Sequence, residues 1–107
     1  MNNSIDVPKI LIVDDDKGMC KTLSRILELD GYQISTANSA SEGRALIKEG
    51  SFNVALLDIK LPDIDGVELL GVLKNIDPDL SVIMMTAYAS TENAIKALSE
   101  LAIGGTA

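Results

Sequence analysis

The sequence has no tryptophan, a single cysteine and only 3% aromatic residues. A core built from it must therefore rest on Leu, Ile, Val, Ala and Met, and a hydrophobic content of 47% supplies enough of them. One cysteine permits no internal disulfide. Cys20 falls among the apolar positions of the first predicted helix, which reads as a small buried hydrophobe rather than a reactive thiol. No apolar run approaches the roughly 20 residues of a membrane-spanning helix. The opening Met1-Asn2-Asn3-Ser4 has neither the charge nor the apolar stretch of a signal peptide, so a cytoplasmic protein is expected. Positive charge is scarce: 9 Lys and Arg face 16 Asp and Glu, a net charge of −7. That balance argues against a nucleic-acid surface, which needs a basic patch, and against docking on anionic membranes. The length, 107 residues, suits one domain. There is no internal repeat, no low-complexity segment and no visible boundary.

What is present is organised around Asn53-Val54-Ala55-Leu56-Leu57-Asp58-Ile59-Lys60-Leu61-Pro62. Four consecutive apolar residues without polar alternation predict a strand buried on both faces, as in a parallel sheet covered by helices. The strand ends on a carboxylate, Asp58. Pro62 and Asp63-Ile64-Asp65-Gly66 then make a turn. A second strand, Ile10-Leu11-Ile12-Val13, also ends on acids, Asp14-Asp15-Asp16. Sites in open α/β sheets collect outside the carboxyl ends of the strands. If these two strands are neighbours, Asp14, Asp15 and Asp58 converge.

The rest of the chain alternates. After a polar lead ending at Pro8, strand one covers Lys9–Val13. Lys17–Asp30 carries Met19, Cys20, Leu23, Ile26 and Leu27 at helical spacing, and Gly31 stands where a helix-ending glycine belongs. Asp16 reads as the N-cap of this helix rather than a ligand. Tyr32–Ala37 is a shorter, more alternating strand, expected at an edge. Ser39-Ala40-Ser41-Glu42 fits a capping box, opening a helix that runs to about Glu49 and stops at Gly50. After the third strand, Asp65-Gly66-Val67-Glu68 caps a helix with Val67, Leu70, Leu73 and Ile76 on its apolar stripe, closed by Pro78. Ser81–Thr86 is another strand expected to be buried on both faces. Ser90 or Thr91 caps a last helix bearing Ala94, Ile95, Leu98 and Leu101. Strands alternating with helices imply a parallel, doubly wound α/β sheet. Sequence alone does not set the strand order.

Three motifs now stand in order at consistent separations: Leu11-Ile12-Val13-Asp14-Asp15, Leu57-Asp58-Ile59-Lys60-Leu61-Pro62-Asp63-Ile64-Asp65-Gly66, and Met84-Met85-Thr86-Ala87. Together they resemble the receiver domain of two-component response regulators, over about residues 8–100. The stretch from Thr86 to Thr91 looks most like receivers of transcriptional activators. The resemblance implies a flavodoxin-like sheet of order 2-1-3-4-5 and a phosphorylation-dependent signalling switch that is not a conventional enzyme. It makes Asp58 the phosphoacceptor. Asp14 and Asp15 become the acidic pair holding Mg2+ together with Asp58 and the backbone carbonyl of Lys60. Thr86 is the hydroxyl that senses the phosphoryl group, and Ala87 the small residue that leaves it room. Lys60 and Tyr88 stand at the site mouth, where they would screen the acyl phosphate from water. A histidine kinase is the implied phosphodonor.

Elementary chemistry agrees with these roles. Clustered carboxylates repel one another, which raises the pKa of at least one. A hard divalent cation relieves that repulsion and selects oxygen ligands. Phosphorylation adds roughly −1.5 to −2 charge and strong acceptor oxygens. A Thr86 hydroxyl bonded to that charged group contributes about 1.5–3 kcal/mol. Such a bond shifts a two-state equilibrium by roughly ten- to a hundredfold.

The chain also departs from the family. A receiver continues into a fifth strand, whose terminal lysine before a proline contacts the phosphoryl group, and then a fifth helix. By spacing that lysine would follow Ala107. Leu101-Ala102-Ile103-Gly104-Gly105-Thr106-Ala107 makes poor strand material. The expectation is a single receiver domain, residues 1–107, with strand order 2-1-3-4 and the fifth strand and helix missing. Strand four would then be an exposed apolar edge inviting self-association, and phosphotransfer would be impaired. Two readings compete with the switch. One is a non-switching interaction module of receiver fold. The other is a magnesium-dependent phosphatase with an aspartyl nucleophile. Such enzymes want a second acid two residues beyond the nucleophile. Asp14 and Asp16 have that spacing, whereas Asp58-Ile59-Lys60 does not.

Overall fold

Ile10, Leu11, Ile12 and Val13 have no accessible surface, and neither do Ala55, Leu56 and Leu57. Two strands this apolar must lie at the centre of a sheet with helices on both sides. The computed structural model describes residues 7–58 and 61–85. It contains β1 (Lys9–Val13), α1 (Lys17–Leu29), β2 (Gln33–Ala37), α2 (Ala40–Glu49), β3 (Val54–Asp58), α3 (Gly66–Ile76) and β4 (Ser81–Met85). The strands are all parallel, in the order β2-β1-β3-β4. Strands one and three are indeed neighbours, and β2 is at an edge of the sheet among the described residues.

Alternate residues of the central strands feed opposite cores, because successive strand side chains point to opposite faces. Ile10, Ile12 and Leu56 pack with Cys20, Leu23 and Leu27 of α1. Leu11, Val13, Ala55 and Leu57 pack with Ala40 and Ile47 of α2 and Leu69 and Leu73 of α3. Fully burying one such Leu or Ile contributes about 1.5–3 kcal/mol. Truncating one of them to alanine costs about 2–5 kcal/mol.

The helix ends follow the local sequence closely. Asp16 caps α1, its side chain accepting from the Met19 N–H at 3.0 Å. Gly31 ends it with φ +95°, a left-handed backbone that costs a side-chain-bearing residue about 1–2 kcal/mol. Asp65 caps α3, accepting from the Val67 N–H at 2.8 Å. The capping box of α2 is shifted. Ser39 Oγ accepts from Glu42 N at 3.2 Å, but Glu42 Oε1 accepts from the N–H of Asn38, one residue before the cap.

Two expectations are corrected. The buried stripe of α3 is Gly66, Leu69 and Leu73, while Val67 is 60% exposed. In a helix apolar on most sides, spacing leaves the inward face open, and here the fit against β3 and α2 selects it. Secondly, Val82, Ile83 and Met84 are half-buried and only Met85 is buried, so β4 is not sealed on both faces. It is the outermost strand among the described residues. The expectations for a missing fifth strand and helix, and for pairing through β4 that follows from it, fall on residues outside the described set. So do those for Lys60, Thr86, Ala87, Tyr88 and the last helix.

Candidate phosphoacceptor and cation site

The register of the sheet builds the site. Val13 of β1 lies beside Leu57 of β3, so the next residue along each strand, Asp14 and Asp58, stands at the same carboxyl-end level. Asp14, Asp15 and Asp58 each offer a carboxylate oxygen, and these oxygens lie within 4.8 Å of one another. The three acids that the sequence brings forward are therefore in one place. Asp14 is buried, Asp58 half-buried and Asp15 exposed, so the cluster opens to solvent on one side.

Asp14 is fixed at its backbone and at its side chain. Its N–H donates to the Ala37 carbonyl at 3.0 Å, tying it to the end of β2. Its own carbonyl accepts from Asn38 Nδ2 at 2.9 Å and from the Cys20 thiol at 3.4 Å. Its Oδ1 accepts from the Asp16 N–H at 2.9 Å. Burial pushes the Asp14 carboxyl up from 3.8 to about 6. The charge of Asp58, a side-chain hydrogen bond with Asp58 and the charge of Asp15 add to that, against the opposing Asp16 N–H. Burial, with the charges of Asp14 and Asp16 behind it, also pushes the Cys20 thiol up to about 11. The thiol is thus protonated and unreactive, as its place on the apolar face implied.

Sequence reasoning passed over two polar residues. Asn38 follows β2 at the same end of the sheet, where the carboxyl-end rule would have found it. Asp63 was assigned only to a turn. Its Oδ1 accepts from the Ala40 N–H and its Oδ2 from the Ser41 N–H, both at 2.9 Å. Those two bonds hold its carboxyl below the ordinary range.

Residues 10–104 match the family described as response regulator receiver domain, and the chain belongs to that family. It is 36% identical over 94 residues to the transcriptional regulatory protein ZraR of Klebsiella oxytoca, covering 88% of this chain and 21% of that one. The chain thus spans about a fifth of the length of such curated relatives. Among solved structures it is similar to a CheY-like response regulator receiver domain protein from Methanospirillum hungatei JF-1. Identity there is 45%, the TM-score 0.76, and coverage 88% of this chain and 75% of that one. It is also similar to a response regulator protein from Burkholderia pseudomallei that was crystallised with a phosphorylated aspartic acid, calcium ion and citrate. Here identity is 29%, the TM-score 0.73, and coverage 87% and 55%.

Proposed function

We propose that this domain is a phosphorylation-dependent signalling switch of a two-component system, with Asp58 as phosphoacceptor and a histidine kinase as donor. The observation that carries this reading is the convergence of Asp14, Asp15 and Asp58 at the carboxyl ends of β1 and β3. Membership of the receiver family supports it, and so does the phosphorylated aspartic acid of the Burkholderia relative.

The donor set fits a hard divalent cation. Three carboxylate oxygens are clustered within reach of one ion, and burial, with the charges of Asp58 and Asp15 behind it, holds the Asp14 carboxyl up at about 6. Mg2+ bound there neutralises charge that grows on the transferring phosphoryl group. Asp14, Asp15, Asp58 and the Lys60 carbonyl are the proposed ligands. Asp14 is held ready by Asn38, Cys20 and Asp16. Asp15, at the exposed side, would close the solvent-facing side of the ion's site. An Asp58 oxygen attacks phosphorus, and the phosphorus–nitrogen bond of the donor imidazole breaks with its electron pair leaving to the ring nitrogen. The product is an acyl phosphate on Asp58. In this reading the Thr86 hydroxyl turns toward the new oxygens, Ala87 leaves it room, and Lys60 and Tyr88 shield the acyl phosphate. The domain acts in the cytoplasm. No helix among the described residues is long and apolar enough to cross a membrane.

Incubation with acetyl phosphate tests this proposal. Wild type should gain one phosphoryl group at Asp58 with Mg2+ and none with a chelator, while Asp58→Asn should gain none under either condition. A gain that survives Asp58→Asn would remove the reading.

A further inference from the structure

Asp63 does something that neither the acid cluster nor the family assigns. Its two oxygens accept from Ala40 N and Ser41 N, joining chain segments 22 and 23 residues apart. The first turn of α2 does not need it as a conventional cap. Ser39 Oγ already accepts from Glu42 N, and Gly43 N donates to the Ser39 carbonyl. Asp63 takes the Ala40 and Ser41 N–H groups, two of the four that a helix start leaves without an intrahelical partner, and the positive end of the helix favours its charge.

The consequence lies in the loop. Asp58 is held in the sheet beside Met85. Leu61 and Ile64 pack against the core, and Asp65 caps α3. Asp63 ties this β3–α3 loop to α2 through both oxygens of its side chain. Just ahead of α2 stands Asn38, which donates to the Asp14 carbonyl. The same helix start therefore meets both the loop after Asp58 and the residue that holds Asp14.

We propose that Asp63 is a positioning residue for the cation site, fixing the loop that follows Asp58 on the start of α2 so that Asp58 keeps its place beside Asp14 and Asp15. This rests on the phosphoacceptor reading above. Partners that orient metal ligands typically contribute ten- to a hundredfold in affinity. Asp63→Ala should therefore weaken Mg2+ binding about tenfold. Asp63→Asn keeps one acceptor oxygen and should fall between.

The test is Mg2+ titration calorimetry on wild type, Asp63→Ala, Asp63→Asn and Gly31→Ala, with amide exchange followed in the metal-free proteins. Gly31 lies between α1 and β2, at the opposite end of the strands, and serves as a control for lost stability alone. The expected result is weaker Mg2+ binding in both Asp63 variants, unchanged affinity in Gly31→Ala, and faster exchange at residues 40, 41, 61, 63 and 64 in Asp63→Ala. Wild-type affinity in Asp63→Asn, or equal weakening in Gly31→Ala, overturns the role of Asp63. Wild type that binds no Mg2+ overturns the phosphoacceptor reading first and this proposal with it.

Discussion

Carboxylate oxygens of Asp14 and Asp58, which stand at the same level on neighbouring parallel strands, lie within 4.8 Å of each other at the carboxyl end of the sheet. Burial, with the neighbouring acidic charges behind it, raises the Asp14 pKa to about 6, so its carboxyl takes up a proton as the pH falls toward that value. A cation has to displace that proton. Mg2+ binding should therefore release a proton and weaken steadily as pH falls below about 6. Calorimetry in buffers of different ionisation enthalpy reads the proton count. Binding that is independent of pH between 5 and 7.5 (roughly the window set by Asp14) would contradict this.

The same shift has a consequence for the metal-free fold. An acid whose folded pKa lies above its unfolded value, 3.8 against about 6, stabilises the fold when protonated. Its contribution is complete below about pH 4 and is lost as pH rises through 6. Between those values the metal-free protein should melt at a higher temperature toward the acid side, and Mg2+ should raise the melting temperature only on the neutral side. Asp63 acts in the opposite sense: its lowered pKa adds stability above its unfolded value that is lost at still lower pH. Thermal melts across the pH range separate the two.

Asp14→Asn should make the metal-free protein more stable at pH ~7.5, by about 1–3 kcal/mol. It removes a buried charge and keeps an oxygen for the Asp16 N–H. It should also abolish stabilisation by Mg2+. Melting with and without Mg2+ measures both. A less stable variant that still responds to Mg2+ would count against the account.

Asn38→Ala deletes the 2.9 Å bond to the Asp14 carbonyl and leaves only the weak Cys20 thiol donor there. A net loss of about 1 kcal/mol is expected, with reduced Mg2+ affinity. Denaturant unfolding and Mg2+ titration test these together. Unchanged Mg2+ affinity would show that Asn38 holds the fold alone.

Gly43 shows how closely α2 approaches the sheet. A β-carbon there would meet Val13 Cγ2 at 2.9 Å, and Val13 is fully buried. Gly43→Ala sets that clash against the helix preference for alanine, so the two nearly offset. Gly43→Val has no such offset, and overpacking should cost about 1–3 kcal/mol. A difference between the two variants in denaturant unfolding is the check.

Much of the fold is legible in the residues because local signals agree with one another. Unbroken apolar runs mark β1 and β3, and each helix start carries its own capping side chain at Asp16, Ser39 and Asp65. The acid cluster is legible because strand ends are where these sheets place side chains. What could not be read is set by tertiary fit. Val67 and Leu69 are equally apolar, and only packing against β3 and α2 turns one out and the other in. Glu42 reaches past the cap to accept from the Asn38 N–H, a choice between neighbouring donors that the capping pattern leaves open. The bond from Ala40 to Asp63 crosses 23 residues, and no local rule anticipates it.

The central claim is that Asp14, Asp15 and Asp58 hold one divalent ion. Crystals soaked in Mn2+, which accepts the same hard oxygen ligands and scatters anomalously, test it most directly. The account predicts a single strong anomalous peak bounded by those three carboxylates, lost in Asp14→Asn. A peak elsewhere, or none at that corner, would contradict it.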